Sequence, residues 1–153
     1  MRRREDGNNG SMVGRVLVAT DRSETAEVAV RFAAEMANRF GADLVLVQVV
    51  VPPATTSVAM TEDLVRHARE LAGEKGFGTV VVGDDPAKAI IDAAETEDVD
   101  VVVVGNVGMS GRKEFLLGNV PNRVSHGTNR TVVIVNTRQR LEQQEQKRRR
   151  FFR

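Results

Sequence analysis

The chain has 153 residues, 41% of them hydrophobic and 28% charged, with a formal net charge of +1 and no cysteine. That length suits one domain with a proper core, and the lack of cysteine excludes disulfides, thiolate metal sites and thiol catalysis. No apolar run approaches the roughly 20 residues that span a bilayer, and residues 1–11 lack the apolar stretch of a secretory signal, so a cytoplasmic location is expected.

The small net charge hides a split. Residues 138–153 hold seven Lys/Arg against two Glu, a net of +5, and residues 1–12 hold a net of +1, which leaves −5 on residues 13–137. An acidic core argues against a folded domain that itself binds nucleic acid. With no Trp or Tyr, base stacking would fall to six Phe, and two of these, Phe151 and Phe152, lie in the basic segment.

In chain order, short β-branched runs alternate with helical periodicity. Val16-Leu17-Val18-Ala19 reads as a buried strand. A helix is predicted over 23–40, where Ala26, Ala29, Val30, Ala33, Ala37 and Phe40 recur at helical spacing before Gly41. A second strand over 44–51 stops at Pro52-Pro53. A loop over 54–60 then leads to a helix over 61–75, with Leu64, Ala68, Leu71 and Ala72 on one face. A strand over 79–82 and a helix over 84–97, with Pro86 in its first turn, follow. The remaining elements are a strand over 101–104, a short helix over 119–125 and a strand over 131–136.

Five strands alternating with four helices is βαβ logic, and near-continuous Val/Ile strands point to a parallel sheet covered on both faces. The expected fold is a doubly wound, Rossmann-like α/β three-layer sandwich over residues 13–137. Residues 1–12 read as a disordered extension, and 138–153 as a basic, disordered or loosely helical tail. Such a tail is a solvated end, or a contact for acidic lipid or nucleic acid.

In doubly wound sheets ligands bind beyond the carboxyl ends of the strands, where strand order reverses. The fold class puts Asp21, after the first strand, beside Gly105, after the fourth. Gly105-Asn106-Val107-Gly108, followed after nine residues by Gly118-Asn119-Val120-Pro121, joins the fourth strand to a short helix. Glycines there allow positive φ and close backbone approach to an anion, and the first turn of the helix offers unpaired N–H groups. Asp21 or Ser23 reads equally as a helix cap, with Glu24 at N3 if Asp21 caps.

Other phosphate motifs fail. The loop lacks the Gly-Lys-Ser/Thr of a P-loop, and Gly105, Gly108 and Gly111 follow the fourth strand with the wrong spacing for a dinucleotide fingerprint. His67 reads as a surface residue of the second helix, far from the glycine loop, and His126 as a helix-end cation. Arg112 and Lys113 are either phosphate partners or solvated loop charges. No base or nucleophile sits beside the loop in sequence, so the chain reads as a binder with no catalytic and no metal-ligating residue.

Gly-x2-Gly-x9-Gly with a small polar residue next, together with Thr20-Asp21 after the first strand, resembles the ATP-binding branch of the universal stress protein family over residues 14–137. The resemblance implies an adenine nucleotide (ATP, AMP or cyclic AMP), with Mg2+ compatible with the phosphates. It implies contacts from Ala19, Thr20, Asp21, Val49, Val104, Gly105, Gly108, Gly118, Asn119 and Val120, the one at Val49 through its backbone. It also implies homodimerisation through the fifth strand and a role as a stress-response regulator or ligand sensor. Many ATP-binding relatives have Ser or Thr where this chain has Asn119, a residue that can cap the helix and donate to phosphate. Pro121 removes one donor from that first turn. The Gly-Asn-Val-Gly and Gly-x-Val-Pro forms look like an actinobacterial subgroup, some of whose members bind cyclic AMP. Two rivals are a nucleotide-free member acting through protein contacts and a slow ATPase.

Overall fold

The computed structural model describes residues 10–106 and 119–152. Its strands are β1 (Arg15–Thr20), β2 (Asp43–Val50), β3 (Gly76–Val82), β4 (Val101–Gly105) and β5 (Thr131–Val135). The helices are α1 (Glu24–Phe40), α2 (Val58–Ala72), α3 (Pro86–Thr96), α4 (Val120–Gly127) and α5 (Thr137–Phe151), and a 3-10 turn, Gly73–Lys75, follows α2. The sheet is parallel throughout, in the order β3-β2-β1-β4-β5. This is the doubly wound α/β sandwich that the strand pattern predicts.

Alternation along β1 divides the core between the faces of the sheet. Val16 and Val18 pack with Ala29, Ala33 and Ala37 of α1 and Leu64 and Ala68 of α2. Leu17 and Ala19 pack with Ala87, Ile90 and Ala94 of α3 and Val120 and Val124 of α4. The alanine face of α1 has few atoms beyond Cβ, which lets that helix lie close on the sheet. Ser23 caps it, its Oγ accepting from the Ala26 N–H at 3.1 Å, and Gly41 ends it with φ of 64°.

Most boundaries differ from the sequence expectation by one or two residues, and some differ by more. β3 starts at Gly76, not residue 79, because Gly76 and Gly78 are close-approach positions. A Cβ on Gly76 would collide with the Ala68 carbonyl of α2, and one on Gly78 would lie 3.1 Å from the Val65 nitrogen. Glycine here lets α2 sit on the strand. Helix α2 begins three residues earlier than expected, at Val58, because Ser57 caps it by accepting from the Met60 N–H. The segment after residue 137, read as disordered or loosely helical, is helical to Phe151, and α5 packs against α1. Of the predicted 1–12 extension, residues 1–9 lie outside the described residues.

Candidate ligand crevice at the strand switch point

β1 and β4 are neighbours, but the chain leaves β1 toward β2 and leaves β4 toward β5. Their ladder runs Val16–Val101, Leu17–Val102, Val18–Val103 and stops there. Beyond it, Ala19 and Thr20 pair with Val47 and Gln48 of β2, while Val104 and Gly105 pair with Ile134 and Val135 of β5. The two halves of the sheet thus part over the last two residues of each central strand. In this fold class that parting opens the crevice that receives ligands.

Thr20 is fully buried, and its Oγ1 accepts from the Arg22 N–H at 2.9 Å. Asp21 Oδ1 accepts from the Ser23 N–H, also at 2.9 Å. These two bonds fold the chain sharply, and Arg22 takes φ of 68°. Ser23, not Asp21, therefore caps α1; the Asp21 carboxylate accepts instead from the Ser23 N–H. Among the described residues, the non-glycine residues at positive φ are Arg22, Asp98 and Asn119. Two of these three flank the crevice. Such conformations cost of order 1–3 kcal/mol and concentrate at functional sites.

Ala19, Val49, Val104 and Val120 all bury their side chains in the cluster beneath α3 and α4, so a ligand could meet them only through the backbone. β1 ends opposite Gln48, and from Val49 onward β2 has a strand neighbour only on its β3 side. Gly105 closes β4. Gly108, Gly118, Arg112 and Lys113 lie outside the described residues.

Asn119 occupies the N-cap position of α4 with φ of 38° and ψ of 55°, but its side chain makes no capping bond. The capping that an Asn can supply at this position is therefore not used. Helix geometry leaves the Asn119, Val120 and Asn122 N–H groups without intrahelical acceptors, and Pro121 has none to offer. Arg123 holds α4 in place through a two-pronged pair with Asp85, the N-cap of α3, both contacts at 2.7 Å. Hydrogen bonding from Arg123, followed by that from the Lys88 N–H, lowers the Asp85 carboxyl from 3.8 to about 2.

Two features escaped the sequence reading. A cleft of about 460 Å³ opens between the end of β2 and α2, lined by Arg22, Gln48, Met60, His67 and Glu70 among others. His67 is not the surface residue expected. Its side chain is only 17% exposed, and its Nε2 lies 2.9 and 3.0 Å from the two carboxylate oxygens of Glu27 on α1. The available signal was Gln48, a lone polar residue in the run Leu44–Val51 of an otherwise apolar strand. His126 lies in the last turn of α4, as predicted.

Comparison with known proteins agrees with this geometry. The sequence model of the Universal stress protein family matches residues 12–136. Universal stress protein Rv1636 of Mycobacterium tuberculosis (strain H37Rv) is 33% identical over 141 residues, covering 80% of this chain and 95% of the relative. YxiE of Bacillus subtilis is 29% identical over 147 residues, covering 81% and 99%. Among solved structures, a universal stress protein in complex with cAMP superposes with a TM-score of 0.66 at 28% identity, covering 83% of this chain and 99% of that one.

Proposed function

The chain belongs to the universal stress protein family, and we propose that it binds an adenine nucleotide at the β1–β4 crevice and acts as a regulator or ligand sensor. The observation that carries this reading is the parting of β1 from β4 above Val18–Val103, with strained backbone at Arg22 and Asn119 on its rim. Thr20 and Asp21 would face the nucleoside, and the Val49 backbone the base edge. Gly105, Gly108, Gly118 and Asn119, with the Val120 amide, would face ribose and phosphates. The similar protein solved with cAMP supports an adenine nucleotide as the ligand class.

ATP, AMP and cyclic AMP all fit this assignment, with Mg2+ accompanying a polyphosphate. The chain binds without turnover in this reading, since its side chains at the rim hold backbone turns: Thr20 and Asp21 both accept from main-chain N–H groups. Pro121, which withholds one phosphate donor, favours the smaller ligands. It is also the feature that favours a nucleotide-free member acting through protein contacts. The assembly proposed is a homodimer through β5, an edge strand whose Ile134 is 45% exposed.

Mass spectrometry of small molecules released from freshly purified protein tests the ligand, and titration calorimetry with ATP, AMP and cyclic AMP tests the site. The expected result is measurable affinity for at least one of the three, abolished in a folded Gly108→Val variant. Unchanged affinity in that variant would move the site off the loop. No binding by wild-type protein would leave the protein-contact reading.

A further inference from the structure

The second half of α5 belongs to neither the core nor the crevice. Residues 142–152 are all exposed, so the helix is free of the domain from Glu142 to its end at Phe151, about 15 Å of helical rise. Its last turn carries Arg148, Arg149 and Arg150, directly after Lys147. At about 100° per residue, four consecutive cations surround the axis and leave no neutral side. The same turn has the negative end of the helix dipole, which suits cations. Immediately beyond stand Phe151 and Phe152, 85% and 83% exposed, with ring centroids 5.7 Å apart in an edge-to-face arrangement.

We propose that this tip docks on an anionic lipid surface, the four cations engaging headgroup charge and the two phenyl rings entering the interface. The phosphate backbone of a duplex would satisfy the cations alone, and an acidic protein patch would do the same; a single strand could stack bases on the rings, and it is an arm of the test. A bilayer interface accepts both parts, charge at the headgroups and aromatic rings just beneath. The charge split fits this arrangement. Residues 13–137 carry −5 and would be repelled by the same surface. The exposed stretch of helix sets that charge back by more than the ~8 Å Debye length of physiological salt. No described helix is long and apolar enough to cross a membrane, so the contact is with the surface.

The test is flotation of the full chain with phosphatidylcholine vesicles made with and without phosphatidylserine, at low and high salt. Binding is expected only with phosphatidylserine, and is expected to fall with salt. Each basic residue near the surface contributes about fivefold, so Arg149→Gln with Arg150→Gln should weaken binding about 25-fold. Phe151→Ala with Phe152→Ala keeps every charge and should weaken it at least about tenfold. Both pairs are exposed, so melting temperatures should not change. The chain has no Trp, so Phe152→Trp supplies a single reporter whose emission should shift to the blue on phosphatidylserine vesicles. The proposal is overturned by absence of binding to those vesicles, by full affinity in the double Phe variant, by no spectral shift, or by tighter binding to duplex DNA or to a single-stranded oligonucleotide at equal salt.

Discussion

Asn106 Oδ1 accepts from both the backbone N–H and the hydroxyl of Thr137, at 3.0 and 3.2 Å. The Asn106 N–H in turn donates to the Val135 carbonyl at 2.8 Å. The first residue after β4 is thus tied to the start of α5, and Thr137 is fully buried there. One side chain joins the mouth of the crevice to the root of the basic helix. These bonds to Thr137 give a structural reason for Asn in the Gly-Asn-Val-Gly sequence.

Asn106→Ala should therefore destabilise the domain by about 1–3 kcal/mol, the sum of two hydrogen bonds at a buried hydroxyl and amide. Asn106→Asp keeps the acceptor and adds a charge at a helix N-terminus, so it should recover the loss. Urea midpoints check the energies, and hydrogen exchange should show faster labelling at the start of α5 in the alanine variant alone.

Capping and ligand contact separate at neighbouring positions of the β1–α1 turn. Ser23 supplies the cap, so Ser23→Ala should cost about 1 kcal/mol of stability and leave nucleotide affinity unchanged. Asp21→Ala removes the carboxylate proposed to face the nucleoside, and should weaken nucleotide binding about tenfold, the value of roughly one charged hydrogen bond. Equal affinity losses in the two variants would mean that the turn acts only as a scaffold.

The pair between Asp85 and Arg123 makes a pH-dependent link between α3 and α4. Arg123 lowers the Asp85 carboxyl to about 2 from an unfolded value near 3.8. A depressed carboxylate contributes its stability in full above the unfolded value, and loses it as pH falls through the folded one. Arg123→Gln should therefore lower the urea midpoint at neutral pH, and its gap from wild type should close between about pH 4 and about pH 2. A gap that persists at the acid end would assign the effect to packing of the arginine stem.

Much of the fold was legible because the strands are nearly pure Val, Ile and Leu, and the helices repeat alanine at helical spacing. What escaped depended on contacts distant in sequence. Gly76 and Gly78 look like loop residues until α2 is placed over them. His67 looks solvated until Glu27, forty residues away, is brought beside it. The place of the crevice followed only from the fold class, since periodicity alone does not give strand order, and most of the glycine loop lies outside the described residues. The left-handed backbone at Arg22 was not legible, since arginine gives no signal of positive φ; at Asn119 it accords with the tolerance of Asn for that region. The Asx-type bonds of Thr20 and Asp21 explain it at Arg22, by closing the turn on both sides of that residue.

β5 is an edge strand, paired among the described strands with β4 alone. Among the described residues no strand pairs with its other side, and such an edge pairs readily with another copy unless charge or a cover protects it. The strand Thr131–Val135 carries no charge, and Ile134 is 45% exposed. A two-fold pairing of this edge would extend the sheet and bury Ile134 against its symmetry mate. Light scattering at tens of micromolar, roughly where a modest interface still holds, should give twice the chain's mass. Ile134→Lys should give the monomer mass, because like charges would then face each other across the two-fold axis. The circular dichroism spectrum should be unchanged, since the side chain is solvent-facing within one copy. A monomeric wild type, or a dimer that survives the lysine, would place any self-association elsewhere on the domain.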